Sequence, residues 1–357
     1  MHTQSKFRVL VVRLGAMGDI LHALPAVTAL RRAHPSWVID WVVEPAWRHL
    51  LTAANGIPAE SLSASQPLVN DLYLAPVKAW GRAPLSPKTH REIGQLRTRI
   101  RAGGYDVVVD FQGAVRSAFL GRFAGARRVI GESDPREWAA RWLFTERVAT
   151  TGVHVIEQDV ELAAAVAGDA LEPVQPLLPV DPQAEDWCDR LLAPLGSEPV
   201  ALLNPGAGWG SKRWPPERYS AVAAGLAARG FRVLVNAAPG EEGLADTIAA
   251  QSNQNGIPVR CSLAELTALT RRVALAVGGD TGPMHLACAL GRPVVGIYGP
   301  TDPARNGPYG TRFRVLRNPM SVRDHTRLAQ PEAGLLTISP EEVLQAAGEL
   351  FAQEAAR

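Results

Sequence analysis

Short apolar runs alternate with stretches of helical periodicity along most of this 357-residue chain. The run "FRVLVV" is followed by an amphipathic segment from Asp19 to Ala33, then by "WVIDWVV" and a helix over 45–54. A less regular stretch leads to a helix over 88–102, the run "YDVVVD" and a helix over 114–124. Runs that are apolar throughout, without period-two alternation, suit strands buried on both faces, and helical crossovers between them join parallel neighbours. The pattern predicts open parallel α/β sheets.

The alternation breaks at "LEPVQPLLPVDP", where Pro173, Pro176, Pro179 and Pro182 recur every third residue and favour extended chain. It then restarts. "PVALLN" leads to a loop and a helix after Pro216, "FRVLVN" is the next strand, and "VALAVGG" passes through a Gly-rich turn into the helical "PMHLACAL" and the strand "PVVGIYG". The division is therefore a domain over 1–170, a linker over 171–183, a second domain over 184–338 and a last helix over 339–357 that could reach across the boundary. Open α/β sheets bind ligands beyond the carboxyl ends of their strands, so two of them joined by a linker predict a cleft onto which the motifs face. No internal repeat is visible in the sequence.

Composition adds limits. With 46% hydrophobic and 20% charged residues the chain is of globular type. No apolar run approaches the ~20 residues that span a bilayer. "MHTQSKFRVLVV" is too short in apolar residues for a signal peptide and lacks a small-residue cleavage site, which predicts a cytoplasmic protein. Cys188, Cys261 and Cys288 have neither even number nor metal spacing and read as structural thiols. The net charge of +2 conceals an asymmetry: residues 1–150 hold 20 Lys and Arg against 12 Asp and Glu, or +8, and the remainder holds 17 against 23, or −6. Lys78, Arg82, Lys88, Arg91, Arg97, Arg99 and Arg101 face only Glu92 in sequence. Such a cluster is either a solvated helix face or a field for an anionic partner, and no nucleic-acid motif accompanies it.

Three constellations carry chemistry. In "RLGAMGDILHALPAV", Asp19 follows Gly15 and Gly18 where a strand gives way to a helix. It is either a helix cap or an ionised carboxylate able to take a proton from a hydroxyl nucleophile. The spacing is not GxGxxG, so nothing points to a dinucleotide. In "NPGAGWGSKRWP", three glycines precede Lys212 and Arg213 after a strand. This is either a plain loop or an anion site in which backbone amides and a lysine meet phosphate oxygens. In "GGDTGPMHLACALGRPVVGIYGPTDP", Asp280, Thr281 and Gly282 open a helix and His285 lies on its first turn. Either the polar residues cap that helix, or its free N–H groups and the Thr281 hydroxyl hold a diphosphate, with "GPTDP" closing over the same site. There is no DxD triplet, no metal-spaced cluster and no GxSxG elbow.

Together these residues resemble glycosyltransferase family 9, the lipopolysaccharide heptosyltransferases. "RLGAMGDILHALPA" resembles the family's opening strand, loop and helix, and "DFQGAVRSA" (Asp110 to Ala118) its second N-domain signature. "PGAGWGSKRWP" and "GGDTGPMHLACALGRPVVGIYGPTDP" resemble its two donor-site motifs, and the likeness spans nearly the whole chain in order. The resemblance implies a GT-B architecture of two Rossmann-like domains and an inverting, metal-independent transfer of heptose from ADP-heptose to an inner-core sugar, without a cofactor. It makes Asp19 the general base. Gly206, Ala207, Lys212, Asp280, Thr281, Gly282 and His285 become donor-binding, and Glu241, or Glu242 beside it in "APGEE", meets the ribose. Gly18, Lys78, Arg82, Gln112 and Arg116, with the basic cluster, would face the anionic Kdo-lipid A acceptor, and the enzyme would work in the cytoplasm or at the inner membrane's cytoplasmic face. "GDILH" and "DFQGAVRSA" resemble the first heptosyltransferase and "NPGAGWGSKRW" the second, and the acceptor-domain motifs favour the first. The competing readings are the second enzyme or another family 9 transferase, a sugar-nucleotide epimerase that needs no acceptor, and a non-catalytic sugar-nucleotide-binding protein.

Overall fold

A computed structural model describes residues 6–53, 68–324, 326 and 328–355. The start of the N-terminal segment and the last residue of the helix expected over 45–54 lie outside them. The chain divides into two compact units, residues 1–179 and 180–357.

The first unit runs β1 (Arg8–Val12), α1 (Met17–Ala33), β2 (Val38–Val43), β3 (Asp71–Leu74), α2 (Val77–Arg82), α3 (Pro87–Ala102), β4 (Val107–Asp110), α4 (Val115–Gly121), β5 (Arg128–Glu132), β6 (Glu146–Val148) and α5 (Val155–Ala167). Its six strands are all parallel in the order β3-β2-β1-β4-β5-β6. Val9 to Val12 of β1 are wholly buried, as a central strand covered on both faces must be. The helix expected over 45–54 is a 3-10 turn, Pro45–Leu50, and the one over 114–124 is α4 followed by a 3-10 turn, Arg122–Ala124.

The second unit runs α6 (Pro182–Leu192), β7 (Val200–Asn204), α7 (Pro216–Ala227), β8 (Arg232–Ala237), α8 (Glu242–Gln251), β9 (Gly256–Arg260), α9 (Leu263–Arg272), β10 (Leu275–Gly279), α10 (Gly282–Ala289), β11 (Val294–Tyr298), α11 (Pro303–Asn306), β12 (Phe313–Arg317) and α12 (Pro340–Ala355). Its strands are parallel in the order β12-β11-β10-β7-β8-β9. This is the arrangement of the first sheet repeated, although the sequence shows no repeat. In both, the first two connections lead outward one way and the next three the other, which is the doubly wound order with a switch point beside its first strand.

The Pro-rich stretch is extended up to Asp181, two residues short of the expected linker end. Asp181 accepts the Gln183 and Ala184 N–H groups at 3.0 and 3.3 Å, and Pro182 takes the first helical position, where its missing donor costs nothing. The C-terminal helix α12 packs on α7, β11 and β12 of its own unit, with Val343, Ala346, Ala347 and Leu350 in the core.

Candidate active site

In the first unit the residues of interest lie where β1 and β4 end, on either side of the switch point. Asp19 is the third residue of α1. The N-cap is Ala16, whose N–H donates to Asp19 Oδ2 at 2.8 Å. Asp19 thus reaches back to the helix entrance without being its cap residue, and its other oxygen lies 3.3 Å from Arg13 Nη2. With 30% of its side chain exposed, the carboxylate remains open to solvent. Gly18 precedes it on the same turn. Gly15 has a φ of +147°, and a Cβ there would fall 2.6 Å from Trp47 Nε1, so the loop admits no side chain at this point.

The second signature braces this loop. The Leu14 N–H donates to Gln112 Oε1 at 2.8 Å, Arg13 Nη1 donates to the Phe111 carbonyl, and Trp41 Nε1 donates to the Arg13 carbonyl at 2.9 Å. Gln112 is buried, and that oxygen is spent on the loop. Asp110 lies beneath, accepting the Gln112 N–H at 2.7 Å, the Gly113 N–H at 3.0 Å and the Ser117 hydroxyl at 2.8 Å. Burial pushes its carboxyl up to about 6, against those hydrogen bonds and the nearby Arg13. Arg13, Trp41 and Asp110 were not singled out from sequence. Arginine directly after a fully apolar strand is the signal for the first, since a charge in that position needs a carboxylate.

The basic residues do not form one face. Lys78 and Arg82 on α2 and Arg116 on α4 are exposed, and the Lys78 ammonium lies 6.0 Å from the Trp47 ring centre, beside the Asp19 loop. Lys88 pairs with Glu92 at 3.9 Å. The far end of α3 is elsewhere, because a 16-residue helix is about 24 Å long. Arg99 stacks 5.3 Å from the Tyr73 ring centre, and the Tyr73 hydroxyl lies 2.8 Å from that of Tyr105, just before β4 begins. Arg101 lies beside Gly125, just before β5 begins. Arg99 and Arg101 therefore sit toward the amino ends of the strands, opposite the Asp19 loop, which corrects the expectation of a single acceptor-facing cluster.

In the second unit the loops after β7 and β10 meet across the switch point. Lys212 Nζ lies 2.5 Å from Asp280 Oδ2 and 3.3 Å from the Asp280 carbonyl, and 4.6 Å from the Trp209 ring centre. His285 Nε2 lies 3.0 Å from Asp280 Oδ1. Burial alone would raise the Asp280 carboxyl, but the His285 hydrogen bond and the charges of His285 and Lys212 outweigh it and hold the group well below the usual carboxylate range. The Asp280 carboxylate is thus spent on the Lys212 and His285 side chains, and the N-cap Thr281 makes no side-chain cap bond; its hydroxyl lies 3.4 Å from the Gly279 carbonyl. The capping alternative is corrected: no side chain caps this helix, and although Pro283 has no N–H and the Met284 and His285 N–H groups bond the Thr281 carbonyl at 3.1 and 3.2 Å, the Gly282 N–H and the positive dipole end are left for another partner.

Glu241 and Glu242 separate cleanly. A Cβ on Gly206 would run into the Glu241 carboxylate, which also lies 3.5 Å from Arg213 Nη2 and receives a hydrogen bond from the Ala207 backbone. Burial raises its carboxyl. Glu242 instead accepts the Gly240 N–H at 3.1 Å within its own turn. Glu241 alone of the two adjoins the Gly206–Ala207 loop. In the "GPTDP" loop, Asp302 caps α11 through the Ala304 N–H at 3.0 Å, and the Thr301 hydroxyl is buried. Cys188 and Cys288 are buried, and burial raises the Cys261 and Cys288 thiols to about 12, far from thiolate chemistry. Among the described residues no three His, Cys, Asp or Glu side chains converge as metal ligands, and no helix is long and apolar enough to cross a membrane.

Two doubly wound parallel sheets, each with its polar loops at the switch point, make this an α/β chain of the GT-B type. The comparisons make the assignment specific: the profile of glycosyltransferase family 9 (heptosyltransferase) matches residues 93–333, and the chain belongs to that family. It is 30% identical to lipopolysaccharide heptosyltransferase 1 of Escherichia coli K12, over 87% of this chain and 94% of that one. It is 28% identical to lipopolysaccharide heptosyltransferase 2 of the same strain, over 98% and 100%. Escherichia coli heptosyltransferase WaaC with ADP-2-deoxy-2-fluoro heptose superposes with a TM-score of 0.76 at 28% identity, covering 96% of this chain and 99% of that one.

Proposed function

We propose that this glycosyltransferase transfers heptose from ADP-heptose to the Kdo-lipid A inner core of lipopolysaccharide, with inversion at the anomeric carbon, as a heptosyltransferase of the first type. The observation that carries the reading is the Lys212–Asp280–His285 cluster beside the uncapped start of α10. We read it as a leaving-group site: a buried carboxylate fixes an ammonium, and the Gly282 N–H at the positive end of α10 stands beside it for diphosphate oxygens.

In the proposed reaction Asp19 accepts the proton of the acceptor hydroxyl as its oxygen attacks the anomeric carbon. The bond to the diphosphate breaks in the same displacement, and ADP leaves toward Lys212, the Thr281 hydroxyl and Gly282. Charge on the departing diphosphate is met by the lysine and the helix dipole, so the reaction calls on no metal ion or cofactor. Gly206, Ala207 and Glu241 take the nucleoside side of the donor, with Glu241 on the ribose. Gly18, Lys78, Arg82 and Arg116 take the anionic acceptor at the cytoplasmic face of the inner membrane. Gln112 serves that site by holding the Leu14 backbone. The first-type assignment rests on "GDILH" and "DFQGAVRSA".

The test is ADP release from ADP-heptose with a deacylated inner-core acceptor, alongside other ADP- and UDP-sugars. Acceptor-dependent release with ADP-heptose preferred is the expected outcome. A rearranged sugar nucleotide formed without acceptor would point to an epimerase, and binding without ADP release to a carrier; either sinks the reading.

A further inference from the structure

A surface of the first unit outside the Asp19 loop carries large apolar side chains in the open. Trp138 is 60% and Trp142 68% exposed, both on the 3-10 turn Trp138–Leu143. Their rings meet edge to face with centroids 5.9 Å apart, and the Arg141 guanidinium lies 5.8 Å from each ring centre. The turn packs on α4, whose outward face shows Val115 and Phe119, one helical turn apart, at 39% and 55% exposure. Single exposed apolar residues are ordinary, but a patch with two indoles at its centre marks an interaction surface.

Its charge selects the partner. Residues 115–142 hold six arginines against three carboxylates. Arg128 is paired with Glu146 at 2.7 Å, which leaves five arginines against the three carboxylates and a net positive charge. Arg122 and Arg136 are exposed on the same stretch. A second copy of the chain docked here about a two-fold axis would set Arg141 and its neighbours against their own equivalents. An anionic lipid surface meets the same groups favourably: indole rings, apolar with one polar N–H, settle at the headgroup boundary, and guanidinium groups reach lipid phosphates. We propose that the face centred on Trp138, Arg141 and Trp142 docks this protein on an anionic bilayer. The docking does not depend on the transfer reaction.

The experiment is co-sedimentation of the full chain with phosphatidylcholine vesicles, with and without about 30% phosphatidylglycerol. The chain is expected to sediment with the anionic vesicles and far less with the neutral ones. Trp138→Ser with Trp142→Ser is expected to lower partitioning about tenfold or more, and Arg141→Gln about fivefold. Trp142→Ser alone, at the most exposed position, serves if the double variant melts early. ADP release with the deacylated acceptor is expected to be unchanged in each, which separates docking from transfer. Absence of wild-type sedimentation, equal binding to neutral vesicles, or undiminished binding by the variants overturns the proposal. A wild-type dimer that the Trp variants dissociate in light scattering overturns it in favour of a second copy.

Discussion

Lys212 Nζ and Asp280 Oδ2 stand 2.5 Å apart across the switch point of the second sheet, joining the loop that follows β7 to the turn that follows β10. Both side chains are largely withdrawn from water, at 16% and 6% exposure, so neither is easily spared its partner. The pair does two things at once: it fixes the ammonium that the donor phosphates would meet, and it spends the Asp280 carboxylate on a side chain and not on a cap for α10.

Removing either partner leaves a buried charge behind, which costs about 3 kcal/mol in such settings. Lys212→Ala and Asp280→Asn are each expected to lower the melting temperature, and the double variant to fall short of the sum because neither member of the pair is left without the other. Lys212→Ala should also weaken ADP binding by calorimetry and slow transfer. Unchanged ADP affinity and rate would remove Lys212 from the site.

Asp19 has two tasks that one substitution can separate. Asn at this position keeps an oxygen for the Ala16 N–H, now bonded at 2.8 Å, but cannot accept a proton. Asp19→Asn is therefore expected to bind ADP-heptose normally, with turnover lower by about 10²-fold or more, and to melt below wild type only as far as the buried Arg13 depends on the carboxylate 3.3 Å from its Nη2. Asp19→Ala should lose the same turnover and, in addition, about 1 kcal/mol of stability from the helix entrance. Near-normal turnover by the Asn variant would refute the base assignment.

The strand-end loops were legible in the sequence because glycines, a charge and an apolar run on one side leave few other readings. The structure brings Lys212, Asp280 and His285 together, with Thr281 next in the chain. The last two strands of the first sheet were not legible: β5 is "RVIGE" and β6, at the edge, is "ERV", three to five residues carrying charges, with no apolar run to announce them. Their strand state comes from pairing with a neighbour, which is a tertiary effect. The basic cluster misled for a related reason. Residues 78–101 are close in sequence, but α3 carries Arg99 and Arg101 along its length to the other end of the sheet.

Asp110 sets a pH dependence. Its carboxyl titrates at about 6 in the folded chain, against an ordinary value of 3.8, because burial disfavours the charge. The folded state then holds the proton more tightly than the unfolded one, so stability falls as pH rises from about 4 to about 6 and levels off above, by about 3 kcal/mol in all. Asp110→Asn keeps an acceptor for the Gln112 and Gly113 N–H groups and removes the titration. Melting temperatures taken between pH 4 and pH 7 should show a flatter profile for the variant, with its gain over wild type greatest above pH 6. Parallel profiles would rule out Asp110 as the source.

Gly206 and Glu241 offer the sharpest test of how the donor is held. The Glu241 carboxylate occupies the space a Cβ at residue 206 would need, so Gly206→Ala must displace it. If Glu241 meets the ribose, Gly206→Ala and Glu241→Ala should each raise the KM for ADP-heptose by about tenfold, the loss of one hydrogen bond to a charged group. The double variant should be no worse than Glu241→Ala alone, because the methyl then fills space already vacated. Glu242→Ala should leave KM unchanged, since that carboxylate serves the Gly240 N–H. Additive effects of the two substitutions would mean that residue 206 meets the donor directly, and a raised KM in Glu242→Ala would return the ribose contact to Glu242.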